Sequence, residues 1–398
     1  MKSSHGKSNK IGRIGAKMPN FYEFFAGGGM ARAGLGNGWN CLFANDFDHK
    51  KSSVYNDNWG KGKLKTADVG SLTTENLPGE ADLVWGSFPC QDLSLAGGGA
   101  GLKGDRSGTF WPFWNLMTAL IEDHRAPRMI VLENVCGTLT SHEGKDFTAI
   151  CGVFEEAGYS VGAIVVDAAL FVPQSRPRLF IIGVRGDVEL PENLVRKNAM
   201  EPWHSRALIR AYENLPPKTK RAWLWWKLSM PQKRKLNFAD LTEEPSDSVE
   251  WFTAEKTQQL LDMMSPLNRA KVAAAQRQKR KIFGAIYKRT RPNEQGRKVQ
   301  RAEVRFDDIS GCLRTPAGGS SRQVIILVEG KSVKARLISS RETARLMGLP
   351  DEYKLPANYN EAYHLTGDGV VVPVVRHLAS NILEPVLAMT QAEAMVAA

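Results

Sequence analysis

A chain of 398 residues has room for two domains, or for one large domain carrying a substantial insertion. Its composition, 42% hydrophobic and 24% charged with no apolar run near the roughly 20 residues a bilayer needs, excludes disordered and membrane-spanning classes. The net charge of +11 is concentrated: residues 191–300 hold 23 Lys and Arg against 11 Asp and Glu, a net of +12, which leaves the remainder at −1. Such clustering suits a polyanion-binding module set into a near-neutral body better than a merely solvated helix face.

Residues 1–20 are basic and polar without the apolar segment of a secretory signal, and read as a loose tail. From residue 21 to about 185, short apolar runs ("FYEFF", "CLFAND", "ADLVWGS", "RMIVLEN", "SVGAIVVDA", "RLFIIGV") alternate with helical stretches ("MARAGLG", "HKKSSVYNDNW", "GTFWPFWNLMTALIEDH", "KDFTAICGVFEEAG"). That rhythm predicts a doubly wound, parallel α/β sheet. Its first turn, "FYEFFAGGGMARAGLG", runs a strand through glycines into a helix, which brings backbone N–H groups close to a nucleotide-like ligand. Arg32 stands where G-x-G-x-x-G requires its last small residue, so a dinucleotide fits poorly. Asp46 ends the next strand, where acids meet ribose hydroxyls, and Asp68 follows the third strand within reach of an adenine amino group. Taken singly, each acid reads better as a turn or cap residue, and only their common spacing after successive strands favours the joint reading.

The fourth strand ends in "GSFPCQDLS", placing Cys90 between Pro89 and Gln91 where ligands of open sheets gather. A buried thiol is usually a small hydrophobe, but one followed by the glycine-rich stretch 97–108 fits a nucleophile. The following strand delivers Glu133 and Asn134 to the same edge, a carboxyl group to hydrogen-bond or protonate a ring nitrogen while a thiolate adds to the ring. "PQSRPRLFIIGV" then offers Arg176 and Arg178, the second entering an apolar strand where an arginine needs a fixed partner.

With "FFAGGGM", "ANDFD", "ADVG", "GSFPCQDLS", "GDRSG", "ENV", "QSRPR", "SSRETARLMGLPDEY" and "GDGVVVPVV" in this order, the chain resembles the DNA cytosine-5 methyltransferases. The resemblance implies a Rossmann-like S-adenosylmethionine-dependent methyltransferase domain with a smaller basic target-recognition domain. It implies Cys90 as the nucleophile that adds to C6 of a flipped-out cytosine, Glu133 at N3 and the exocyclic amine, and Arg178 and Arg176 around the base. Phe25, Gly27, Gly29, Asp46, Asp68 and Asp368 would hold the cofactor. Three positions depart from the family pattern: Met30 where many relatives carry glycine, Asp46 where Glu is commoner, and Asp368 where Asn is usual.

After Val184 the sequence becomes Pro-punctuated, Trp-bearing and basic, with "NRAKVAAAQRQKRKIFGAIYKRTR" reading as one long helix. The expected division is 1–20 tail, 21–189 catalytic, 190–355 target recognition and 356–398 a segment returning to the catalytic core. Gln91, Arg314, Thr315 and Arg322 are candidate DNA contacts, and Trp223, Trp225 and Trp226 read as core. The five scattered cysteines suggest reduced thiols in a bacterial or phage-type cytoplasmic protein, with no metal and no membrane. Double-stranded DNA is the expected partner of a monomer. An RNA cytosine-5 methyltransferase of the same fold, or a non-catalytic DNA-binding module, are the rival readings.

Overall fold

The computed structural model describes residues 18–89, 102, 107–243, 249–293, 295–315 and 322–389. Among them, seven strands form one sheet: β1 (Asn20–Phe24), β2 (Asn40–Asp46), β3 (Leu64–Thr66), β4 (Leu83–Gly86), β5 (Met129–Val135), β6 (Tyr159–Asp167) and β7 (Pro177–Arg185). Their spatial order is β3-β2-β1-β4-β5-β7-β6. β4 and β5 are apolar almost throughout and buried, as strands covered on both faces must be.

Helices α1 (Met30–Leu35), α2 (His49–Trp59), α3 (Phe110–Glu122) and α4 (Lys145–Glu156) alternate with the strands. Asp48 caps α2 by accepting from the N–H groups of Lys50 and Lys51. Gly60 and Gly158 follow α2 and α4 in the left-handed region that helix stops favour. The fold is doubly wound as the sequence predicts, with one difference. β7 runs antiparallel to both β5 and β6. Hydrophobic rhythm carries no direction, so the reversal was invisible in the sequence, yet it brings the beginning of β7 to the edge where β4 and β5 end.

Beyond β7, β8 (Val195–Arg196) pairs with β9 (Trp225–Trp226), the two separated by α5 (Arg206–Glu213) and α6 (Pro217–Arg221). This segment packs on β6, where the backbone of Leu224 and the ring of Trp226 lie so close that a Cβ on Gly162 would meet them at 2.0 and 2.8 Å. Trp223 and Trp225 join the core on one side of the sheet and Trp226 the core on the other.

A second, antiparallel sheet of order β11-β10-β12-β13 comprises β10 (Lys281–Pro292), β11 (Lys298–Arg305), β12 (Val324–Glu329) and β13 (Ser332–Leu337). Helices α7 (Ala254–Asp262) and α8 (Pro266–Arg277) cover it, with Leu260, Met264, Val272 and Ala275 against Ile286, Val304 and Ile326. The long helix expected here breaks: α8 stops at Arg277, Lys279 takes a positive φ of 53°, and "KIFGAIYKRTRP" becomes β10. Aromatic and β-branched residues pairing on both sides outweigh the helical spacing.

Helices α9 (Ser340–Leu346), α10 (Tyr359–Asp368) and α11 (Val372–Leu378) return to the first sheet. α11 lies so close on α1 that a Cβ on Gly34 would meet Val375 at 2.3 Å. The helical run Tyr359–Met389 is long and apolar enough by composition to span a bilayer, a feature the sequence reading missed. In this fold 56% of its most apolar window is buried inside the protein, where it serves as core.

Candidate active site

The sheet order turns back between β1 and β4, and the crevice beyond their C-terminal ends is where open α/β sheets take ligands. Phe24 stands level with Asn45 of β2 and Gly86 of β4, so three strand ends open onto one place. Phe25 (φ 55°), Gly27 (φ 53°) and Gly29 (φ 79°) all turn through the left-handed region there. A Cβ on Gly27 would face open space, whereas one on Gly28 would strike the Tyr353 hydroxyl at 2.2 Å and one on Gly29 the Trp59 ring at 2.3 Å. The loop is therefore open on the Gly27 side and backed elsewhere. Its Gly28 carbonyl accepts from Trp59 Nε1 (3.0 Å) and from the Tyr353 hydroxyl (2.7 Å).

Asp46 lies at this crevice, and both its oxygens accept backbone N–H groups, from Gly27 at 2.8 Å and Asp48 at 2.9 Å. Burial raises its pKa against the opposing pull of the Lys51 charge. Asp46 thus shapes the glycine loop itself, a task the sequence did not disclose. Phe25 leans on Phe113 with centroids 6.1 Å apart. Asp68 is exposed after β3 and caps a short turn, accepting from Gly70 N–H at 2.7 Å.

Glu133 near the end of β5 is buried, and Arg178 at the start of β7 meets it, Nε to Oε1 3.2 Å. Only the reversed direction of β7 permits this meeting, because its register sets Arg178 opposite Val135. Burial raises the Glu133 pKa, while Arg178, Arg176 and a hydrogen bond with Ser87 act to lower it. Protonation is thereby easier than for an ordinary carboxylate, and a proton-donating role at a ring nitrogen becomes accessible. Ser87 also accepts from Trp85 Nε1 at 3.1 Å.

Asn134 donates from Nδ2 to the Phe88 carbonyl at 3.2 Å and accepts from Val135 N–H. It fixes the Phe88–Pro89 stretch just beyond β4 beside Glu133. Cys90 and Gln91 come next in the chain and lie outside the described residues.

Arg176 does not face the crevice with Arg178. It is fully buried, and its guanidinium donates to the carbonyls of Leu313 (2.8 Å), Gly367 (2.7 Å) and Gly369 (2.7 Å) and to Cys312 Sγ (3.3 Å). Gln174 completes the seam: its Oε1 accepts from Leu313 N–H at 3.0 Å and its Nε2 donates to the Leu346 carbonyl at 2.8 Å. Two arginines one residue apart on an alternating strand look alike in sequence, and only the fold separates the one at the carboxylate from the one in the seam.

Arg314 is exposed and Thr315 half-buried at the near end of this seam, but Arg322 is turned to α10, donating to Asn360 Oδ1 and lying over the Tyr359 ring. Asp368 at the end of α10 pairs with Lys51 Nζ at 2.7 Å and accepts from the Thr315 hydroxyl. Ser87, Gln174 and Lys51 were not singled out from the sequence. Lys51 carried a signal, since lysines in the first turn of a helix oppose its dipole and need another reason to be there.

The family model described as C-5 cytosine-specific DNA methylase matches residues 19–384. The chain is similar to the Type II methyltransferase M.DsaV of Dactylococcopsis salina, 27% identical over 369 residues, covering 92% of this chain and 86% of that one. It is similar also to M.HhaI of Haemophilus parahaemolyticus, 24% identical, with 91% and 93% covered. Among solved structures, the Entamoeba histolytica methyltransferase EhMeth (TM-score 0.61, 14% identity, 94% and 99% covered) and the S. pombe Dnmt2 methyltransferase (0.57, 18%, 93% and 99%) share the fold.

Proposed function

The chain belongs to the C-5 cytosine-specific DNA methylase family and is a DNA cytosine-5 methyltransferase; on that premise we propose that it acts through a covalent bond from Cys90 to a flipped-out cytosine in duplex DNA. The observation that carries the reading is the Glu133–Arg178 pair beside the Phe88–Pro89 stretch that follows β4, immediately before Cys90. Cytosine C5 is a weak nucleophile. Addition of the Cys90 thiolate at C6 makes it an enamine carbon, while Glu133 donates a proton or hydrogen bond to N3 and so neutralises the charge that develops on the ring. Arg178 holds the Glu133 carboxyl in place and offers donors to the base carbonyl. Once the methyl is on C5, loss of the C5 proton and β-elimination return the thiol. Both ring faces must be reached, so the base leaves the duplex at a cost of about a few kcal/mol.

The crevice fits the family's cofactor: Gly27 faces open space, Phe25 offers a ring face, and Asp46 and Asp68 stand at successive strand ends. S-adenosylmethionine held there supplies an electrophilic methyl group. Arg176 is a positioning residue in this reading rather than a contact to the base.

We propose the segment from 190 to 355, with its excess of cations, as the target-recognition part, with Arg314 and Thr315 nearest the flipped base. One chain then carries both catalytic and recognition parts and acts as a monomer. The test is base-resolution mapping of 5-methylcytosine in DNA and total RNA from a methylation-free bacterial host expressing the wild type or Cys90→Ser. Methylated cytosines in one short DNA context, absent with the variant, are expected. Methylation confined to RNA, or persisting in Cys90→Ser, overturns the reading.

A further inference from the structure

The short turn Gly367–Asp368–Gly369 touches both sides of the molecule at once. A Cβ on Gly367 would meet the Thr315 nitrogen at 3.2 Å and the Arg314 carbonyl carbon at 3.3 Å, so its backbone lies directly on the 314–315 segment. On the other flank a Cβ on Gly369 would lie 2.2 Å from the sulfur of Met30, which begins α1 behind the glycine loop. Between the two glycines the Asp368 carboxylate bridges Lys51 of α2 and the Thr315 hydroxyl. Burial works against the ionised Asp368, but the adjacent Lys51 ammonium overcomes it and holds the carboxyl below its usual range. The same pairing raises the Lys51 pKa despite its own burial. Arg176 staples the turn from below through the Gly367 and Gly369 carbonyls while holding Leu313.

We propose that this turn couples the glycine-loop crevice to the 313–315 segment, so that cofactor occupancy and nucleic-acid binding strengthen one another through the Lys51–Asp368–Thr315 contacts. The inference rests on the reading of the crevice and of the 313–315 segment given above. Asp368 and Lys51 are positioning residues: they touch neither reacting atom, and their effect passes through Met30 and α2 on one side and Thr315 on the other. Linkage makes the effect reciprocal, so it can be read from either ligand.

The experiment measures the Kd of S-adenosylhomocysteine for the full chain, alone and saturated with sheared DNA from a methylation-free host. For the wild type, DNA is expected to tighten the Kd by about 5-fold or more. In Thr315→Val and Asp368→Asn the ratio is expected to fall below about 2, with thermal midpoints near that of the wild type. The double variant Lys51→Met/Asp368→Asn removes both members of the pair together, so that neither faces an uncharged partner in it, and is expected to show the same loss. A ratio near one in the wild type, or a wild-type ratio retained in all three variants, overturns the coupling while leaving the proposed function intact. If wild type binds neither the cofactor product nor DNA, the reading of the crevice falls and the coupling falls with it.

Discussion

Glu133 shows what one residue's surroundings contribute: burial makes its carboxyl easier to protonate, and Arg178 fixes where it points. Glu133→Gln keeps the shape but cannot donate a proton to N3, so methyl transfer should fall by about 10²–10⁴-fold. DNA affinity should change far less, and single-turnover rates beside binding isotherms separate the two. A second buried carboxyl, Glu23 on β1, accepts from Arg32 N–H at 3.2 Å, and its Oε2 has no partner among the described residues. Burial pushes Glu23 up to about 8, the Arg32 contacts pulling the other way. Between the ordinary carboxylate range and about 8 the folded state therefore binds more protons than the unfolded one, and stability falls as pH rises through that window. Glu23→Gln should flatten this fall, which urea midpoints measured from pH 5 to 9 would reveal; parallel curves for the two proteins would refute it. Chemistry of this kind is half legible in sequence. An acid ending an apolar strand is conspicuous, as Glu133 was, but the desolvation that sets its behaviour belongs to the packed neighbours.

At the scale of elements, six of the seven strands of the first sheet were legible from their apolar runs, and so were α2, α3 and α4; β3, only Leu64–Thr66, has no apolar run to show it. Direction and partnership were not. Arg178 reaches Glu133 because β7 is reversed, and nothing in "RLFIIGV" distinguishes a forward strand from a backward one. The stretch after α8 failed for a related reason: cross-strand partners in β11 and β12, distant in sequence, decide that "KIFGAIY" is extended. The β8–β9 segment is held against β6 by backbone hydrogen bonds at Val161 and by a close approach of the Leu224 carbonyl to Gly162. Gly162→Ala should push β9 from β6 and destabilise the protein by about 1–3 kcal/mol, seen as a lowered thermal midpoint. An unchanged midpoint would mean that β9 yields without loss.

For the whole molecule, the excess of positive charge was the clearest message of composition, and the second sheet carries part of it. Arg289 and Arg301 stand directly opposite each other in β10 and β11, an arrangement that repels without an anion nearby. Glu303 pairs with Arg289 and Arg291, which leaves the pair only partly neutralised. Arg301→Ser should weaken DNA binding about equally for all sequences and reduce the slope of log affinity against log salt by about 1. A change confined to one sequence would mark Arg301 as a base contact instead. What composition could not convey is how the parts are joined. The seam of Gln174 and Arg176 with Leu313, Leu346, Gly367 and Gly369 unites segments more than 130 residues apart, and no local pattern announces it.

The Tyr353 hydroxyl that backs the Gly28 carbonyl is separated from it by 325 residues. At a synthesis rate of about 5–20 residues per second, roughly 15–65 s pass between the two leaving the ribosome. Throughout that interval the glycine loop lacks the wall that sets it. If this crevice holds the cofactor as proposed, a nascent or prematurely terminated chain would bind it poorly, and the activity would belong only to the finished molecule.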